Sequence, residues 1–152
     1  MQPAVVVSTA INASETWKST RTIQNKLDVF HQRNLRKITG VTWKDKVSNA
    51  EVLARTGQSR LQDIVGKRRF RFAGHVMRMA PERPARRAIE WTPADSRRKR
   101  GRPKKTWRST FGEDLRARGV SWSEKETMAV DRVRWRNLLP LFYKGLEDLS
   151  AK

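Results

Sequence analysis

The sequence predicts a mainly α-helical protein: a small N-terminal helical bundle, a basic linker and a short C-terminal helical pair. Three observations predict it. Apolar residues recur at three- and four-residue spacing in several stretches. Helix-start signals such as Ser48 with Glu51 and Ser121 with Glu124, and stop signals at Gly40, Gly57 and Gly119, bracket those stretches. Between them Thr92 to Pro103 shows no apolar period. The expected division is a loose tail over residues 1–14, the bundle over 15–85, the basic linker over 86–105, the C-terminal module over 106–145 and a tail over 146–152.

Met1 to Ala13 holds only a short apolar run, Ala4 to Val7, and reads as a loose tail or a poorly ordered strand. From about Trp17 to Thr39, residues Ile23, Leu27, Phe30, Leu35 and Ile38 fall on one helical face. Lys26, Arg33, Arg36 and Lys37 make the other face basic, and Gly40 stops the helix. Val41 to Val47 is a connection that carries Trp43. Ser48 opens a short helix, Asn49 to Thr56, which buries Val52 and Leu53.

A third long helix spans Arg60 to Met79 with two apolar faces, so it packs on two sides. Leu61, Ile64, Val65, Phe72, Val76 and Met79 form one, and Phe70, Ala73 and Met77 the other. Lys67, Arg68, Arg69, Arg71 and Arg78 lie between, and Pro81 and Pro84 end the element. Arg86 to Trp91 is compatible with a short strand or a helical turn. Trp107, Phe111 and Leu115 give an amphipathic helix closed by Gly119. A capping box at Ser121–Glu124 or Ser123–Glu126 opens a last helix carrying Met128, Val133, Trp135 and Leu138 before Pro140. Leu141 to Leu149 is apolar enough for a further turn or two.

The charge is the strongest functional clue. The chain has 152 residues with 34 Lys+Arg against 15 Asp+Glu, a net charge of +19. Its isoelectric point lies near 11.5, as in nucleic-acid-binding domains. Between Lys67 and Arg108 there are 16 basic residues against Glu82, Glu90 and Asp95. Seven of the nine residues Arg97, Arg98, Lys99, Arg100, Gly101, Arg102, Pro103, Lys104 and Lys105 are basic. These charges repel one another unless a polyanion neutralises them. Gly101 lets the backbone approach a surface and Pro103 keeps it extended, so Arg100 and Arg102 can follow a groove in an AT-hook-like manner. The same composition also serves a nuclear-import signal. The breaks at Gly101 and Pro103 speak against an amphipathic membrane-surface helix.

Catalytic chemistry is not legible. With no Cys, disulfides, thiolate zinc sites and cysteine nucleophiles are excluded. His31 and His75 have no clustered ligands, so no metal site is expected and both read as packed or surface side chains. Asp45, Asp63, Asp95 and Asp131 stand singly, and adjacent Glu113–Asp114 point different ways on a helix. Neither a paired-aspartate metal site nor a phosphate-binding Gly-rich loop is present. No signal peptide or stretch of ~18 apolar residues is visible. Trp17, Trp43, Trp107 and Trp135 read as core fillers, with base stacking as the alternative.

Several segments in order carry a family resemblance: Glu15-Thr16-Trp17, Phe30-His31-Gln32-Arg33, Leu35 through Gly40, Trp43-Lys44-Asp45 and Asn49 through Gly57. Arg68 through Met79, Arg100 through Pro103, Trp107, Asp131-Arg132 and Trp135-Arg136 continue it. Together they resemble the C-terminal, thumb and post-thumb region of non-LTR retrotransposon reverse transcriptases. The resemblance implies a helical thumb that grips a primer–template duplex and an extension that holds template RNA or target DNA. The Ala-Asp-Asp palm is absent, so polymerase activity is not implied for this chain. Asn12-Ala13-Ser14 replaces the family's aromatic and glycine, consistent with a new start at Met1 on a truncated copy, and a Cys/His zinc knuckle is excluded.

The expectation is a non-catalytic nucleic-acid-binding fragment of nuclear location. It contacts the phosphate backbone of duplex DNA or RNA through residues 97–105 and through Arg68, Arg69 and Arg71 on a basic helix face. No cofactor, small-molecule substrate or membrane partner is expected. The alternative is a non-functional relic or a nuclear protein-interaction module whose basic run only directs import.

Overall fold

The computed structural model describes residues 3–91 and 105–139, and these are mainly α-helical. Most of the basic run, Arg97 to Lys104, lies outside the described residues, as do Asp95 and the expected turns after Pro140.

The first departure from expectation is at the N-terminus. Instead of a loose tail, Pro3–Ala10 forms a helix, α1, and Ile11 after it is fully buried. Val7 packs with Ile11 against Leu61 and Val65. Valine is a weak helix former, so this contact rather than propensity sustains the helix. A short 3₁₀ turn at Ser14–Thr16 then lies against the central helix.

Helix α2 runs Arg21–Thr39, starting later than expected because the Thr20 hydroxyl caps the Ile23 amide. Gly40 ends it with φ 68°, as the stop signal requires. Its buried residues are His31 and Leu35, and its Leu27 packs against Ile11, Leu61 and Val65. Phe30 and Ile38 are exposed, so the buried stripe is rotated from the expected one. Burial pushes the His31 imidazole below its usual range, and Asp28 opposes this.

Helix α3 is Asn49–Thr56, with Val52 and Leu53 buried against Leu35. Ser48 caps the Glu51 amide, but the Glu51 carboxylate turns forward to Arg55 at 2.5 Å instead of completing the box. Arg36, expected on a basic helix face, donates to the Val47 carbonyl and Asn49 and ties α2 to α3.

Helix α4, Leu61–Met77, is the centre of the fold and packs on two sides as its sequence predicts. Its first half meets α1 through Ile11, Leu61 and Val65. Its second half carries the main core of Phe70, Ala73, Val76 and Met77 with Phe111, Leu115, Ala129, Trp135 and Leu139. Helical stretches on either side of the basic linker thus share one core. Trp107 donates its indole N–H to the Glu15 carbonyl, and the Ser19 amide donates to Thr110.

Helix α5, Pro84–Glu90, resolves the ambiguous segment, with Pro84 in its first turn and Ile89 buried. Helix α6 is Trp107–Arg116. Ser121 and Glu124 exchange hydrogen bonds as a capping box before α7, Lys125–Val130. The expected last helix is broken at Asp131, whose carboxylate caps the amides of Val133 and Arg134 and starts α8, Arg132–Asn137. The break lets Trp135 stack on Phe70 at 4.2 Å and donate to the Phe70 carbonyl.

At the start of α4, burial and the neighbouring Asp28 carboxylate push the Asp63 carboxyl up to about 6, against Arg60 and Lys67. A carboxyl raised in the folded state binds protons more tightly there than in the unfolded chain, so stability rises as pH falls below 6. We expect Asp63→Asn to melt above wild type at pH 7.5. That advantage should shrink as pH falls from about 6 towards the ordinary aspartate value of about 4. Parallel thermal melts at several pH values check this, and a pH-independent difference contradicts it.

Candidate nucleic-acid interface

Lys67, Arg71, His75 and Arg78 recur at helical spacing along one row of α4. Across from them the one-turn pair Arg132 and Arg136 projects from α8. Together they line a cleft of about 680 Å³ whose floor includes Trp135 and Leu139, and among the described residues no carboxylate lines it. From Lys67 to Arg78 the helix rises about 16 Å at its usual pitch. That is comparable to about five steps of one nucleic-acid strand.

The cations converge. The Arg78 guanidinium is lowered from its ordinary value first by burial and then by Arg132 and Arg136. Its Nη1 donates to the Ala129 carbonyl at 2.8 Å, which fixes the side chain between α4 and α7. Arg71, His75, Arg132 and Arg136 are exposed. Several cations held together in this way form a site of high positive potential that an anion relieves. Low-dielectric walls formed by Trp135 and Leu139 strengthen that potential.

Of the described site residues expected from sequence, the structure brings only Arg71 into this cleft. Arg69 requires correction as a nucleic-acid contact. It is 3 % exposed, and its Nε donates to Asp114 at 2.7 Å inside the fold. A guanidinium so placed cannot reach a phosphate without unpacking. Arg68 donates to the Ile11 carbonyl and ties α4 to the N-terminal segment. Lys105, the described end of the basic run, is ion-paired with Glu113. Arg97 to Lys104 lie outside the described residues.

Sequence reasoning missed Lys67, His75, Arg78, Arg132 and Arg136 as one constellation. The row on α4 was legible from its spacing. Nothing local linked it to Arg132 and Arg136, because the docking of Trp135 brings them together. The expectation of four core tryptophans also changes. Trp135 is buried and Trp107 packs against the core, but Trp43 is 84 % exposed. Among the described residues no group of side chains suits a metal ion, and no helix is long and apolar enough to cross a membrane.

Comparison with protein-family models, curated proteins and solved structures finds no match.

Proposed function

We propose that the chain binds the phosphate backbone of a nucleic-acid duplex, with the cleft between α4 and α8 as its structured site. The observation that carries the proposal is the cleft's lining: Lys67, Arg71, Arg78, Arg132 and Arg136, with His75 and, among the described residues, no acid. The basic run over residues 97–105 supplies a second contact on the same polyanion. Catalysis is not part of this reading; the chain acts by binding alone, in the nucleus. The motif order resembles the thumb and post-thumb region of a non-LTR retrotransposon reverse transcriptase, in which a helical element grips a duplex.

Phosphate binding releases counterions, so affinity must depend on salt. With about six phosphates neutralised, affinity falls on the order of a thousandfold between roughly 50 and 200 mM salt. Arg132→Ala/Arg136→Ala, two exposed positions, is expected to lower the slope of log affinity against log salt by about two. Its melting temperature should match wild type. A titration indifferent to salt refutes the proposal, and an unchanged slope in the double variant removes the cleft from it. If Ala at Arg100, Arg102, Lys104 and Lys105 leaves affinity unchanged, the run serves import only. Equal affinity for A·T-rich and G·C-rich duplexes excludes hook-like minor-groove reading by Arg100 and Arg102.

A further inference from the structure

Among the described residues Trp43 is the most exposed of the large hydrophobic side chains, at 84 %. It does not sit on a loose loop. It opens the 3₁₀ turn Trp43–Asp45, which is closed by a reciprocal cap between Thr42 and Asp45. The Thr42 amide and hydroxyl donate to Asp45 Oδ2 at 2.6 and 2.8 Å. These bonds hold the Asp45 carboxyl below its usual range, so the cap persists at neutral pH. Lys46 follows with φ 50°, a left-handed conformation that a non-glycine residue adopts only when its surroundings impose it. The indole is therefore presented on a fixed pedestal.

Its surroundings are cationic. Lys44 Nζ lies 6.0 Å from the Trp43 ring centroid. Lys46, on the same turn, is exposed. Asp45, the carboxylate of this turn, is engaged in the cap. A protein-binding tryptophan is normally set in an apolar patch with charge depleted around it. A π face among lysines instead suits a ligand that joins an aromatic plane to a phosphate.

From this geometry we infer that Trp43 is a stacking platform for an unpaired nucleobase, with Lys44 and Lys46 meeting the adjoining phosphates. The inference rests on the nucleic-acid reading above and adds a preference to it. Bases inside a duplex are already stacked and closed to Trp43, so this site selects single-stranded segments. The duplex is gripped by the cleft.

The test compares a blunt duplex with a single-stranded oligonucleotide of the same length, binding to the full chain at one salt concentration. Trp43→Ala is expected to weaken single-strand binding by about tenfold, since stacking on an aromatic side chain carries roughly that factor per base. Duplex affinity should stay within about twofold, and Trp43→Phe should recover most of the single-strand loss. Matching melting temperatures are expected because the removed ring is exposed. An equal loss on both probes, or no loss on either, overturns the inference, and no loss would assign the ring to another partner. Wild type that binds duplex but not single strand overturns it while leaving the cleft reading standing. Absence of binding to both probes overturns both.

Discussion

Trp135→Ala is expected to destabilise the protein by about 3–5 kcal/mol, the range for removing a large aromatic from a packed core. Trp135 is 2 % exposed, stacks on Phe70 and donates to the Phe70 carbonyl. It is also what fastens α8 to α4, so the same substitution should dissolve the cleft and flatten the salt dependence of binding. Chemical denaturation reads the first effect and a salt titration the second.

Gly74→Ala tests the same joint from the other side. A methyl at Gly74 would lie 2.2 Å from Trp135 Nε1, and the indole cannot move without leaving Phe70. Alanine in place of a mid-helix glycine gains about 0.5–1 kcal/mol of backbone entropy. Overpacking costs about 1–3 kcal/mol and wins here. Gly112→Ala is the matched control, because the nearest atom to its new methyl is in Trp122 at 4.0 Å. We expect Gly112→Ala to be neutral or slightly stabilising and Gly74→Ala to melt earlier. Equal melts for the two would contradict the close approach.

The second large effect is expected at Arg69. Its Nε donates to Asp114 at 2.7 Å, with the two side chains 4 % and 16 % exposed. Burial raises the Asp114 carboxyl despite Arg69 and Arg118 beside it. Arg118 is itself lowered to about 10, chiefly by burial. Arg69→Ala strands a desolvated carboxylate, a loss typically worth 3–5 kcal/mol; with Arg118 still nearby we expect about 3 kcal/mol. Arg69→Met with Asp114→Leu should recover most of it, because a buried pair can be exchanged for apolar residues at little cost. The single variant should also close part of its gap to wild type as pH falls. Protonation of Asp114 then removes the stranded charge, and stability lost above a raised carboxyl value returns below it. Binding lost in Arg69→Ala will track unfolding. Arg71→Ala, at an exposed lining position, should weaken binding with an unchanged melt, and this contrast separates core cation from candidate contact.

Much of the helical framework was legible in the sequence because its signals are local. Ser48 and Gly57 bound α3 as expected, Gly40 ends α2, and the two apolar faces of Arg60–Met79 became a helix packed on both sides. Reading failed where a contact distant in sequence decided the outcome. Residues 3–10 are helical because Val7 and Ile11 meet Leu61 and Val65, and no residue within that segment announces it. Phe30 fits a helical stripe yet is exposed, while His31 beside it is buried. Periodicity specifies a face only to within a residue's rotation, and packing sets the phase.

The candidate site divides the same way. Composition alone establishes a large positive charge concentrated between Lys67 and Arg108, since like charge in that excess needs no fold to be counted. It does not say which cations are free. Arg36, Arg68 and Arg69 are committed to carbonyls or carboxylates within the fold, whereas Arg71, Arg132 and Arg136 face a common cleft. Desolvation makes that choice: a guanidinium drawn inside must find an internal acceptor, and only tertiary packing determines which are drawn in. Helix type and total charge were properties of the sequence by itself, because spacing and side-chain chemistry are local. The pairing of α4 with α8, and the exposure of Trp43, were decided by the folded core.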